Sequence, residues 1–182
     1  MKRGFYYAAP IVALALFIII LTYLDSSNVR LSSGEFPPNI ICKNIDCLLK
    51  CIRQVETGGE PNGGADAVGD KGRSHGHYQI QQGTIDYASK YDSFLSGVKA
   101  TDLSGTTGKL TPDERKALSE KIMNANWAQV ATANSDRREK NWLCEDLARV
   151  HNGGPRGHTK DSTKPYWDKV KDCMQKECPN DI

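Results

Sequence analysis

The chain has 182 residues, enough to enclose one hydrophobic core and too few for two enzymes. Its 24 basic and 22 acidic residues leave a formal net charge of +2 and are interspersed along the chain. That balance provides no basic face for DNA or RNA, so nucleic-acid partners are not expected.

Taken in chain order, Lys2 and Arg3 precede a charge-free run from Ala8 to Leu24, which closes on Asp25-Ser26-Ser27. As a helix this run covers about 26 Å, near the lower limit for crossing a bilayer and longer than most signal-peptide apolar regions. The leading positive charge keeps that end cytoplasmic and sends the remainder across. No small-x-small cleavage site follows Leu24, so residues 1–24 read as a type II signal anchor in preference to a cleaved signal peptide. The Ser-rich stretch 25–40, with Pro37-Pro38, reads as a stalk. A single folded domain is expected over 41–178, with 179–182 as a tail and no internal repeat. The product is expected to be extracytoplasmic, tied to a membrane through its N-terminal segment, and monomeric.

Cys42, Cys47, Cys51, Cys144, Cys173 and Cys178 all follow the apolar run. An even set in a translocated chain predicts disulfides, and six cysteines allow 15 pairings. The N-terminal cluster is expected to be tied to the C-terminal group. There is no C-x2-C pair, and His75-Gly76-His77 has no ligand set beside it, so neither metal nor cofactor is expected.

Within the domain, Ile45, Leu48, Leu49, Ile52 and Val55 recur at helical spacing until Gly58-Gly59, which puts Glu56 in the last turn of a helix. The Gly-, Asn- and Asp-rich stretch 60–72 predicts turns leading into a small hairpin near His77-Tyr78-Gln79-Ile80. Thr111-Pro112-Asp113-Glu114 predicts a capped helix start, continuing to about Val130. One helix over 137–151, stopped by Gly153-Gly154-Pro155, and a last one over 165–175 complete a mainly helical α+β fold.

Glycoside hydrolysis needs a carboxylic acid that protonates the leaving oxygen and a second carboxylate that acts as nucleophile, base or charge stabiliser. Glu56, at the end of an apolar-faced helix, suits the first role, because desolvation raises a carboxyl pKa. Asp66 and Asp70, in the Gly-rich loop, are the candidates for the second.

Cys51-Ile52-Arg53-Gln54-Val55-Glu56-Thr57-Gly58 resembles the catalytic-glutamate segment of invertebrate-type lysozymes, the destabilase family. Three more stretches resemble that family in order: 72–80 (GRSHGHYQI), 148–157 (ARVHNGGPRG) and 166–173 (YWDKVKDC). The four run from about Cys47 to Cys173, nearly the whole expected domain. The resemblance implies a lysozyme-like α+β fold with a substrate cleft between a helical part and a hairpin part. It implies cleavage of β-1,4 bonds between N-acetylmuramic acid and N-acetylglucosamine in peptidoglycan, with Glu56 as general acid. Counting forward from Glu56 places the family's aspartate beside Asp66; counting back from Gln79-Ile80 places it beside Asp70. Asp70 is preferred, because Gly69-Asp70-Lys71-Gly72 also resembles the Gly-Asp-x-Gly loop of goose-type lysozymes.

Tyr78, Gln79, His151 and Asn152, inside those motifs, are the expected substrate contacts, and Tyr166 and Trp167 are candidates for stacking on sugar rings. Two other readings remain open at this point. Some relatives are described as isopeptidases with a serine and a histidine matching Ser74 and His151, and a glycan-binding protein without catalysis would keep the same cleft. Gly59, Gly64, His75 and His158 stand where several of the family's cysteines would be, so the loop must be stabilised by something other than a full disulfide set.

Overall fold

The computed structural model describes residues 36–58 and 61–179. The apolar segment 8–24 and residues 25–35 of the expected stalk lie outside the described residues. Among the described residues, no helix is long and apolar enough to cross a membrane.

Six α-helices and one small sheet make up the described fold. Helix α1, Ile45–Thr57, begins at Asn44, whose side chain accepts from the Cys47 amide, and ends at Gly58 in the left-handed conformation. Its apolar stripe is buried at Leu48, Leu49 and Ile52. Helix α2, Gln82–Ala88, packs against α3, Pro112–Thr132. The α3 start carries the expected capping box, with Thr111 Oγ1 accepting from the Glu114 amide and Glu114 accepting from the Thr111 amide. Helix α3 is the centre of the helical core: most of Ile122 to Ala131 is buried. Trp127 donates its indole N–H to Leu147 O at 3.0 Å, joining α3 to α5, Cys144–Gly153. Between them lies the short α4, Ser135–Glu139, and α6, Lys164–Glu177, follows. Val170 and Met174 bring α6 into the same core as α1.

Strands β1 (Val68–Gly69), β2 (Ser74–His75) and β3 (Ile80–Gln81) form an antiparallel sheet in the order β1-β2-β3. Gly69 lies opposite Ser74, and Ser74 opposite Gln81.

Four differences from the sequence reading have physical causes. The hairpin expected near His77-Tyr78-Gln79-Ile80 is formed by β2 and β3, but of those four residues only Ile80 lies in a strand; His77-Tyr78-Gln79 belong to its turn, closed by the Gln79 N–H donating to Gly76 O. The helix expected over 137–151 is two helices broken at 140–143, because Trp142 turns inward: it is fully buried and gives its indole N–H to Arg137 O. Helix α2 carries too short an apolar pattern to stand out alone, and tertiary contact with α3 supports it. Residues 36–40, expected as the end of the stalk, belong to the domain. Phe36 and Ile40 pack on the core, and Asn39 donates to three carbonyls, Ala131, Arg137 and Lys140.

All six cysteines are paired: Cys42–Cys144, Cys47–Cys178 and Cys51–Cys173. Each bond joins the N-terminal cluster to the C-terminal group, as expected. Cys47 and Cys51 lie one turn apart on α1, so two of the bonds fasten one face of α1 to α6.

Candidate active site

Three helices converge on Glu56. It occupies the last turn of α1 with a side chain 19% exposed, and Gly58 ends the helix two residues later. His151, from α5, has its Nε2 3.1 Å from Glu56 Oε1. Tyr166, from the first turn of α6, donates its hydroxyl to the same oxygen at 2.8 Å. Oε1 thus takes both bonds. The loop after α1 closes over the end of the helix because Gly64, at φ +81°, meets Thr57: a Cβ there would lie 2.1 Å from Thr57 Cγ2. A larger residue at 64 would push the loop away from the turn that holds Glu56.

Burial is the largest influence on the Glu56 carboxyl and raises its pKa, but the hydrogen bond and charge of His151 and the hydrogen bond of Tyr166 outweigh it, and the net direction is down. The expectation from helix position covered only the burial. Tyr166 is moved the opposite way, upward, by its own burial and then by the Glu56 charge, so it remains a phenol and a donor.

The family-like segment around His151 is held by Arg149, which is buried beneath it. Its guanidinium donates to Thr163 Oγ1, Glu145 Oε1 and Lys160 O. Lys160 in turn donates to Gly153 O at the end of α5. Gly157 is required there, since a Cβ would sit 1.9 Å from Arg149 O.

Asp70 lies in the β1–β2 turn, its backbone left-handed at φ +48°. Arg73 Nη2 donates to Oδ1 at 2.6 Å and Gln81 Nε2 to Oδ2 at 3.1 Å. The strand register brings Gln81 in: it pairs with Ser74, and its amide also donates to Ser74 Oγ. Asp66 is engaged elsewhere. Its Oδ1 accepts from Nη2 of the buried Arg115 at 2.6 Å, on a guanidinium that also donates to Leu110 O.

Several expected substrate contacts have other duties. Tyr78 is 1% exposed, packed in the core with its hydroxyl donating to Glu120. It has no face left for a sugar. Gln79 spends its amide N–H groups on Ala67 O and Gly76 O, closing the β2–β3 turn. His151 contacts the carboxyl of Glu56 instead of standing free for substrate. Asn152 is exposed on α5. Ser74 is buried, and its hydroxyl accepts from Gln81 while His151 Nε2 is directed at Glu56. The Ser74 and His151 side chains therefore form no dyad.

Sequence reading missed Tyr166 as a partner of Glu56, and Arg73 and Gln81 as partners of Asp70. The closing Tyr-Trp-x-Lys-Val motif marked Tyr166 as notable, but only α1–α6 packing shows which atom it serves. Among the described residues, no group of three or more His, Cys, Asp or Glu side chains gathers as a metal site.

No family model matches the chain. Invertebrate-type lysozyme 6 of Caenorhabditis elegans is 33% identical over 129 residues, covering 69% of this chain and 83% of that protein. The chain belongs to the invertebrate-type lysozymes. It is accordingly a glycoside hydrolase of the lysozyme type, built as a lysozyme-like α+β fold. Shorter stretches are similar to lysozymes of two oysters, with 61% identity over 28 residues in Ostrea edulis and 63% over 27 in Magallana gigas; each covers 20% of the relative and 15% of this chain.

Proposed function

We propose that this lysozyme is a muramidase that hydrolyses the β-1,4 bond between N-acetylmuramic acid and N-acetylglucosamine in bacterial peptidoglycan, with Glu56 as general acid and Asp70 as the second carboxylate. The observation that carries the reading is the convergence of His151 and Tyr166 on one oxygen of Glu56. Two bonds on Oε1 fix the carboxyl plane and leave Oε2 to carry the proton to the leaving oxygen. A glycan seated over the site removes the remaining water. That strengthens desolvation, already the largest influence on this group, and favours the protonated form that donation requires.

Asp70 serves the developing oxocarbenium charge from the sheet side, with the sugar chain in a cleft between sheet and helices. Arg73 and Gln81 aim its carboxylate. Asp66 is less suited, because its carboxylate compensates the buried Arg115 and its removal would disturb the fold. Asn152, exposed next to His151, is the remaining candidate for a substrate amide contact. Glu56 in this hydrogen-bonded setting also favours hydrolysis over glycan binding alone, and the engaged Ser74 speaks against isopeptide cleavage. Three disulfides favour an oxidising, extracytoplasmic site of action, with the apolar segment 8–24 as the leader or anchor that takes the domain there.

The test is release of soluble fragments from purified peptidoglycan by wild type, Glu56→Gln, Asp70→Asn and Asp66→Asn, each first checked for folding. Activity is expected to vanish in Glu56→Gln and to fall at least about a hundredfold in Asp70→Asn, as loss of a charge-stabilising group does. Unchanged release by folded Glu56→Gln would refute the acid assignment. Loss in Asp66→Asn with activity kept in Asp70→Asn would reverse the order of the two aspartates.

A further inference from the structure

On the sheet side of the molecule a cavity of about 420 Å³ opens beside the β1–β2 turn, lined among others by Arg73, His75, Gln81, Gln82, Lys99 and Thr101. This lies within the range of about 300–1,000 Å³ found for small-molecule sites. Its polar groups can be accounted for one by one. Both ring nitrogens of His75 are occupied, by Ser104 Oγ and Gly72 O. The Gln82 amide bonds Asp86, Val98 O and the Ala100 N–H. The Gln81 amide nitrogen is spent on Asp70 and Ser74. Arg73 turns Nε and Nη2 to Asp70, which leaves Nη1. Lys99 Nζ and Thr101 Oγ1 have no hydrogen bond or ion pair among the described residues, and none of the lining residues is acidic. One of the two cations is thus neutralised by Asp70, and the other is not neutralised.

We propose that this cavity is a subsite for a carboxylate carried by the glycan, bound between Lys99 Nζ and the free edge of Arg73, with Thr101 Oγ1 as an additional donor. The assignment rests on the glycosidase reading, because Arg73 and Gln81, which line the cavity, are also the two side chains that hold Asp70. A sugar positioned over Asp70 therefore brings its substituents to the mouth of the cavity. Peptidoglycan offers such an acid in two places, the lactyl group of a muramic residue without peptide and the carboxylates of a stem peptide. A neutral N-acetylglucosamine polymer offers none. The subsite would make the enzyme selective among amino-sugar polymers with the same backbone linkage.

Binding, measured by titration calorimetry on the full chain, separates these cases without relying on turnover. Glu56→Gln, as the chemically silent background, and Glu56→Gln/Lys99→Met are titrated with three tetrasaccharides. These are an N-acetylglucosamine oligomer, an alternating N-acetylglucosamine–N-acetylmuramic acid oligomer with free lactyl groups, and the same oligomer carrying stem peptides. Lys99→Met is expected to weaken binding of an acid-bearing ligand about two- to fivefold, the range of an exposed ion pair, and to leave the neutral oligomer unchanged. The difference should shrink as salt is raised. Whichever acid-bearing ligand responds identifies the source of the carboxylate. Equal affinities in the two proteins for all three ligands, or the same weakening for all three, would overturn the subsite. Failure of every ligand to bind folded protein would instead overturn the muramidase reading on which it rests.

Discussion

The helical half and the sheet half of this domain are held together by different chemistry. Two disulfides fasten α1 to α6 and a third ties Cys42 to the start of α5, so the elements that carry Glu56, His151 and Tyr166 are covalently linked. The loop and sheet over 61–81 contain no cysteine. Histidines and an arginine fill that place. His75 links Gly72 O to Ser104, and His77 reaches from Gly63 O toward Pro112 O. Arg115 joins Asp66 to Leu110 O. In the neutral ring, His75 satisfies both partners as the Nε2–H tautomer, donating to Gly72 O and accepting from Ser104. Buried hydrogen bonds thus replace cross-links at a position where the family resemblance places a cysteine. Cross-links act largely on the unfolded chain, whereas hydrogen bonds act only while the folded loop stays in place. The half that carries Glu56 is accordingly expected to be the more rigid one, and the half that carries Asp70 to open locally at lower cost.

The largest predicted effect breaks the rigid half. Cys51→Ser/Cys173→Ser is expected to lower stability by about 2–5 kcal/mol, read as a lower denaturant midpoint. Because the bond holds α6 against α1, the Tyr166 contact to Glu56 should loosen with it. A smaller effect is expected in the other half. His75→Ala removes one buried and one part-buried hydrogen bond and should lower stability by about 1–3 kcal/mol. Hydrogen exchange should quicken at residues 68–81 and stay unchanged in α1 and α6; uniform quickening would mean that the two halves open as one unit.

Asp66→Asn keeps the size of the side chain but weakens its bond to Arg115, and should lower stability by about 1–2 kcal/mol. Asp70→Asn, whose partners are exposed, should leave the denaturant midpoint nearly unchanged. That contrast tells an aspartate that holds the fold from one that does not.

Tyr166→Phe is expected to have a modest effect on stability and a distinct effect on the pH profile. The phenol donates to Glu56 and helps hold its pKa down. Without it the pKa rises, the carboxyl keeps its proton to higher pH, and the alkaline limb of activity moves upward. A limb that stays in place while the maximum rate falls would assign Tyr166 to orientation alone.

Much of the helical half was legible in the chain. The stripe Ile45, Leu48, Leu49, Ile52, the stop at Gly58 and the Thr111–Glu114 box are local signals, set by residues within a turn or two of each other. Glu56 could be placed in the last turn for the same reason. Tyr78 shows the limit. Within its motif it reads equally as a cleft aromatic or a core aromatic, and only the packing of the β2–β3 turn against α3 sends its hydroxyl to Glu120.

Local signals in the chain were enough for the helix ends, the capping, the membership of both cysteine groups in one cross-linked domain, and the place of Glu56 in the last turn of α1. These follow from spacing, side-chain shape and counting. Tertiary structure alone decided which cysteine meets which, that His151 and Tyr166 share one oxygen of Glu56, and that Asp66 is committed to Arg115 while Asp70 is held by Arg73 and Gln81. It also decided the sign of the Glu56 shift. The charge on a carboxyl depends on every group that reaches it, and those that outweigh burial here lie 95 and 110 residues away along the chain.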